Sequence, residues 1–308
     1  MVSAPPQNPT PGILLVDKPQ GITSHDVVSR ARKLVGTRKV GHAGTLDPMA
    51  TGLLILGVNA ATRLLTYIVG LDKQYTATIR LGESSSTDDA EGELSPRVDA
   101  AALAAVTDAA IAAAAAALTG DILQRPSSVS AIKVDGRRAY SLVREGETVE
   151  LAERPVTVSA FDILEIRRGG SVDVDVRVDC SSGTYIRALA RDMGESLGLG
   201  GHLTALRRTR IGKFEVADAL PLDETLPKRM LPPADVASLL YPRLDLSADE
   251  AIDLAHGKRI PVAGDTAGVR AAIAPDGRLV GLIEVVDGRA VVLVNFPPAV
   301  NSPVEGAS

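Results

Sequence analysis

Tryptophan is absent from this chain, and cysteine occurs once, at Cys180, in 308 residues. A lone cysteine excludes an intrachain disulfide and fits the reducing cytosol, so a cytoplasmic protein is expected. Histidine is scarce too. His25, His42, His202 and His256 are scattered without metal-ligand spacing, which argues against a zinc site, and no metal is expected. No Lys or Arg precedes Lys18, so the charged start of a signal peptide is missing. The most apolar-looking stretch, Ala100 to Leu118, is mostly alanine and carries Thr107 and Asp108. Alanine is too weakly hydrophobic to drive insertion into a bilayer, and the stretch reads as a soluble helix. Phosphate-binding signatures are also lacking. No Gly-Lys-Ser/Thr closes a Walker loop, and Gly198, Gly200 and Gly201 lack the strand–helix setting of a dinucleotide fingerprint. No cofactor is expected.

What is present is unevenly distributed charge. The net charge is −5, yet Ser24–Val40, Lys133–Arg144 and Leu203–Lys213 together hold thirteen bases and two acids. The remainder of the chain therefore carries −16. Basic strips on an acidic body suit a polyanion docked on one face. Solvated helix faces give the same runs, and charge alone does not choose between the two.

Residues 1–10 and 299–308 are expected to be disordered tails. Gly12 to Asp17 reads as a buried strand stopped by the turn Lys18-Pro19-Gln20-Gly21. Ser24 is the expected cap of a helix to Val35, with Gly36 as its left-handed terminus. Tyr75 to Leu81 alternates as a strand, and Ser84 to Glu93 is an acidic, polar loop. Asp99 to Leu118 is expected to be one helix stopped by Gly120. Residues 125–154 are basic and weakly periodic, which suggests an inserted arm. Pro155–Ile166 and Ser171–Cys180 read as strands joined at Arg168-Gly169-Gly170. Thr184 opens a helix with Ile186, Leu189, Ala190, Met193 and Leu197 on one face. After a Pro- and Leu-rich linker, 245–298 reads as a small β-rich domain with a hairpin around Asp287-Gly288.

The loop Gly41-His42-Ala43-Gly44-Thr45-Leu46-Asp47-Pro48-Met49-Ala50-Thr51-Gly52 stands apart. Its glycines allow tight turns, and Pro48 keeps Asp47 extended, so one carboxylate is presented on a fixed loop. An aspartate that merely turns the chain before a proline is commonplace, and the loop alone favours that reading.

The segment GHAGTLDPMATG (41–52) resembles the signature of the bacterial tRNA pseudouridine-55 synthases, the TruB family. Further blocks resemble that family in the same order: GILLVDKPQGITSHDVV (12–28), DKQYTATIRLG (72–82), STDDAEG (86–92), SAIKVDGRRAY (130–140), CSSGTYIRALARDMGESLG (180–198) and HLTALRRTRIGKF (202–214). The likeness spans roughly residues 12 to 220. It departs at Pro126-Ser127-Ser128-Val129-Ser130, where the family usually has paired prolines and a tyrosine before Ser-Ala.

The resemblance implies an α+β fold: a pseudouridine-synthase core with a mixed, largely antiparallel sheet, plus a small PUA-like RNA-binding domain. The catalytic domain would span 11–240 and include the 125–154 arm. It implies isomerisation of uridine 55 in the T-loop of tRNA by a cofactor-free, monomeric enzyme. Asp47 is then the catalytic carboxylate, kept ionised by Arg187, because burial alone would raise a carboxyl pKa. Tyr75 would stack on the extracted base and handle a proton. Tyr185 and Leu206 would line the uracil pocket, and His42 would stack in place of the departed base. Lys133, Arg137, Arg138, Arg207, Arg208 and Arg210 would track phosphates, which positions RNA without specifying sequence. On pattern alone, Arg187 reads as a surface arginine, Tyr75 as core and His42 as solvated.

Two rivals come from other classes. A tRNA-binding or folding protein would use the pocket only for capture. A carboxylate hydrolase would need a second acid, for which the sole candidate is Asp88-Asp89-Ala90-Glu91, read as exposed loop.

Overall fold

The computed structural model describes residues 10–128, 151–263 and 267–296, with the backbone of 133–134 and 137–138. Most of the expected arm and nearly all of both expected tails lie outside the described residues.

A nine-stranded sheet forms the frame. Its strands are β1 (Gly12–Lys18), β2 (Val40–Ala43), β3 (Thr51–Val58), β4 (Lys73–Leu81), β5 (Gly120–Gln124), β8 (Arg154–Arg168), β9 (Val172–Cys180), β10 (Gly201–Ile211) and β11 (Phe214–Glu215), with the two-residue pair β6 (Lys133–Val134) and β7 (Arg137–Arg138) separate. The order is β1-β3-β10-β4-β9-β8-β5, with β2 on β3 and β11 on β10. The β3–β10 ladder is parallel and the rest are antiparallel, so the sheet is mixed and largely antiparallel.

Period-two alternation sets its two faces. Tyr75, Ala77 and Ile79 of β4 and the valines of β9 join Ile186, Leu189, Ala190 and Met193 of helix α5 (Ile186–Ser196) in one apolar cluster. The opposite face is polar. There Arg80 forks onto Asp173 at 2.8 Å through Nε and Nη2, and Thr78 donates to Asp175 at 2.6 Å.

Helix α1 (Ser24–Val35) is capped by Thr23, not Ser24. Thr23 and Asp26 form a reciprocal capping box, and Gly36 closes the helix at φ 70°. Either hydroxyl could have capped; Ser24 is drawn off to another partner, described below. α2 spans Leu65–Val69. The expected single alanine helix is two, α3 (Ala100–Ala105) and α4 (Asp108–Ala117), because Thr107 caps a new start on the Ala110 N–H. Gly120 does not stop the helix; it begins β5 at φ 97°.

A second sheet runs β12 (Arg243–Asp245), β13 (Gly268–Ile273), β14 (Leu279–Val286) and β15 (Arg289–Asn295). The β14–β15 turn has Asp287 at φ 51° and Gly288 at φ 68°, the left-handed pair of a type I′ hairpin. Helix α6 (Pro233–Leu240) and this sheet share an apolar cluster with β1 and β3, including Ile13, Leu53, Ala237, Ile273 and Phe296. Helix α7 (Ala248–Ala255) covers its other side through Ala251 and Leu254.

Candidate active site

The Asp47 loop joins β2 to β3 and is clamped from three directions. From α1, the Ser24 hydroxyl donates to the Leu46 carbonyl at 3.0 Å and accepts the Leu46 N–H at 2.9 Å. From β1, the Lys18 ammonium donates to the carbonyls of Ala50 at 2.6 Å, Pro19 at 3.0 Å and Pro48 at 3.3 Å. From β10, the Arg208 guanidinium donates to the carbonyls of Leu53 at 2.8 Å, Gly44 at 3.1 Å and Thr45 at 3.4 Å. Lys18 and Arg208 are 0% and 1% exposed. Burial lowers the Lys18 pKa to about 8, against the pull of Asp47. Gly52, at φ 98°, lies against the Arg208 main chain so closely that a Cβ would overlap its carbonyl oxygen.

The side chain of Asp47 stays 38% exposed and meets Arg187 of α5, with Nε 3.1 Å from Oδ2. Arg187 is 4% exposed. Its Nη1 donates to the Thr87 carbonyl at 2.7 Å and lies 3.3 Å from Asp89 Oδ2. The other Asp89 oxygen accepts from Thr87 Oγ1 at 2.6 Å and the Glu91 N–H at 3.0 Å. A buried arginine between two carboxylates is a satisfied charge cluster, and its planar fork suits that role.

Asp47 and Arg187 open onto a cavity of about 290 Å³, also lined by Tyr75, Tyr185, Leu206 and Lys73. Burial pushes the Tyr75 phenol above its ordinary pKa, opposed by Arg208, so it remains a proton donor at neutral pH. Lys73 is drawn down to about 8 by burial, then by Arg208, and donates to the carbonyls of Leu71 at 2.5 Å and Val69 at 2.8 Å.

Residues 32–186 match the N-terminal domain of the TruB family pseudouridylate synthases. Residues 187–235 match the tRNA pseudouridylate synthase B C-terminal domain, and 241–297 the C-terminal domain of tRNA pseudouridine synthase II. The chain belongs to the TruB family. It is 61% identical over 292 residues to the tRNA pseudouridine synthase B of Leifsonia xyli subsp. xyli, covering 93% of this chain and 96% of that protein. It is 57% identical over 304 residues to that of Arthrobacter sp. strain FB24, covering 95% and 98%. A chain of a solved Cbf5–Nop10–Gar1 complex has the same fold, at 25% identity and TM-score 0.69 over 93% of this chain and 85% of that one.

In this TruB-family chain, six residues singled out from sequence meet at one cavity: Asp47, Tyr75, Tyr185, Arg187, Leu206 and Arg208. His42 stands on β2, half-buried, its ring edge-on to His25 with centroids 5.9 Å apart. Burial, then His25 and Arg208, lower its pKa, so the ring is neutral at pH 7. The arginines expected to track phosphates separate. Arg207 is part-exposed and paired to Asp17 at 2.8 Å; Arg210 pairs with Asp179 at 2.7 Å and Asp72 at 2.8 Å. Arg208 is buried beneath the Asp47 loop, donates to the carbonyls of Leu53, Thr45 and Gly44, and lines the same cavity. Lys133 and Arg138 pair across β6 and β7, with Arg137 opposite Val134; their side chains lie outside the described residues.

Sequence reasoning gave Lys18 only a turn, Ser24 only a helix cap and Asp89 only a place in an acid-rich loop. The 84–93 loop, read as exposed, has Ser85 and Asp89 buried, with Asp88 paired to Arg191 at 3.2 Å. Two adjacent acids before a glycine-ended turn were the available signal.

Proposed function

We propose that this chain isomerises uridine 55 in the T-loop of tRNA to pseudouridine, with Asp47 as the catalytic carboxylate. The observation that carries this reading is the Asp47–Arg187 pair, 3.1 Å apart, at a cavity with Tyr75, Tyr185 and Leu206 on its walls. The reaction breaks N1–C1′, turns the base, joins C5 to C1′ and releases the proton from C5. Atoms balance without redox or phosphoryl chemistry, so the task reduces to holding the base and supplying a carboxylate as nucleophile or as base for an elimination. A uridine stacked in an RNA loop must first be extracted. Tyr75 and Tyr185 supply aromatic surface to receive it, Leu206 an apolar wall, and Tyr75 a phenol for proton handling at C5. The neutral ring of His42, outside the cavity, would stack in the vacated place.

Arg207 and Arg210, with Lys133, Arg137 and Arg138 of the arm, would follow phosphates of the T-arm. The small second sheet would extend the RNA contact. The enzyme would act as a cytoplasmic monomer without cofactor. Among the described residues, no helix is long and apolar enough to cross a membrane.

The test is tritium release from unmodified tRNA carrying 5-³H-uridine, comparing the wild type with Asp47→Asn. Release of one tritium per tRNA, abolished in the variant while tRNA binding persists, is expected. Tight, salt-sensitive binding without release by the wild type would instead make the cavity a capture site of an RNA-binding protein.

A further inference from the structure

Two contacts tie the root of the 125–154 arm to the helix that carries Arg187. Gln124 ends β5, where its register partner on β8 is Arg154, so the chain leaves the sheet and rejoins it at one place. The Gln124 side chain is 1% exposed, and both ends of its amide are used on one residue. Oε1 accepts the Tyr185 N–H at 2.8 Å, and Nε2 donates to the Tyr185 carbonyl at 3.1 Å. Tyr185 is the N-cap of α5 and makes no side-chain cap bond of its own. Six residues further along the helix, Arg191 Nη2 donates to the Arg125 carbonyl at 2.8 Å. Its Nη1 lies 3.2 Å from Asp88, the neighbour of the Asp89 that holds Arg187.

A glutamine that only satisfied a buried strand end would need no particular partner. Here the planar amide matches donor to acceptor and acceptor to donor on one residue, which fixes where that main chain sits and how it is turned. Tyr185 lines the cavity, and Arg187 follows two residues later in the first turn of α5. A shift at Gln124 therefore reaches the cavity wall and the arginine fork together. We propose that Gln124 is a positioning residue: it registers Tyr185, and through it Arg187, against Asp47, so that the arm root and the cavity are set as one unit. This rests on the function proposed above.

The test uses Gln124→Met and Gln124→Glu in the full chain, with single-turnover tritium release, tRNA affinity and thermal unfolding measured on each. Gln124→Met is expected to slow the chemical step by about 10²-fold, the cost of misplacing a reacting group by about 1 Å, with tRNA affinity retained. Gln124→Glu supplies the readout that a merely structural role would not move. Its carboxylate accepts the N–H but repels the carbonyl, whereas the protonated acid does what the amide does. Its rate relative to wild type is expected to rise as pH falls toward a carboxyl pKa raised by burial. A wild-type chemical step in Gln124→Met, a loss confined to tRNA affinity, or a flat ratio for Gln124→Glu would overturn the proposal. If Gln124→Met does not fold, the Gln124→Glu profile decides. Absence of release by the wild type would sink the proposed function and this inference with it. An active wild type beside an unaffected Gln124→Met sinks this inference alone.

Discussion

Arg187 and Asp89 form the most enclosed ion pair among the described residues, 3.3 Å apart with both side chains 4% exposed. Asp89 lies on Nη1 while Asp47 lies on Nε, so one guanidinium serves a buried acid and a part-exposed one. The buried acid orients the arginine; the other is left to face the cavity.

Removing the buried partner should therefore harm both stability and chemistry. Asp89→Ala is expected to lose about 3 kcal/mol of folding free energy, the lower range for breaking a buried pair, because Asp47 still neutralises Arg187. Its single-turnover rate should fall by about 10²-fold as the fork loses its orientation. Asp89→Asn keeps the shape and should retain more stability than rate. Urea unfolding and tritium release on both variants check this; a wild-type rate for Asp89→Asn would refute it.

Ser24→Ala should release the Asp47 loop from α1. The Leu46 N–H and carbonyl both lose their partner in a buried setting, a cost of about 1–3 kcal/mol. Helix α1 should persist, because Thr23 and Asp26 cap it without Ser24. The expected result is a lower unfolding midpoint and a slower chemical step with unchanged tRNA affinity. A change in affinity alone would contradict it.

Arg207 and Arg208, adjacent in sequence, should behave oppositely. Arg207→Ala is expected to reduce the slope of log affinity against log salt by about 1, as for loss of one phosphate contact. Arg208→Met should leave that slope unchanged and destabilise the fold by about 3 kcal/mol, since buried carbonyls of the loop are left unpaired. Equal salt slopes for wild type and Arg207→Ala would remove Arg207 from the RNA path.

Lys18 and Lys73, both near 8 through burial, give a pH signature. Between about 8 and the ordinary 10.5 the unfolded chain binds more protons, so each lysine adds stability as pH rises. The increment is about 3 kcal/mol for a lysine shifted this far. It is complete above 10.5 and lost as pH falls through about 8. Urea unfolding of wild type and Lys73→Met at pH 8 and pH 10 should show the wild type gaining on the variant. A constant gap between them would mean an ordinary lysine.

Elements with local signatures were legible in the sequence. Alternation marked β4 and β9, Asp287-Gly288 marked the hairpin, and Gly36 marked the end of α1. The Asp47 loop was legible through its glycines and Pro48, and Arg187 only through family likeness. What stayed hidden has a common physical cause. Charge looks alike whether it is solvated or buried, so Arg208 and Asp89 could not be told from surface residues. Alanine has no apolar periodicity, so nothing showed where α3 ends and α4 begins. Thr23 and Ser24 are equally able caps one residue apart, and only Leu46, twenty-two positions away, decides between them.

The parallel ladder between β3 and β10 pairs Thr51 with Arg207 and Gly52 with Arg208. The loop that bears Asp47 is thus completed by a strand synthesised some 155 positions later. Closing so long a stretch of chain is slow, so a nascent polypeptide that has not yet reached β10 lacks the Arg208 clamp. The chain should gain its ordered Asp47 loop as a late event in biogenesis, and fragments ending before Gly201 should show protease cleavage within residues 44–50 that the whole chain resists.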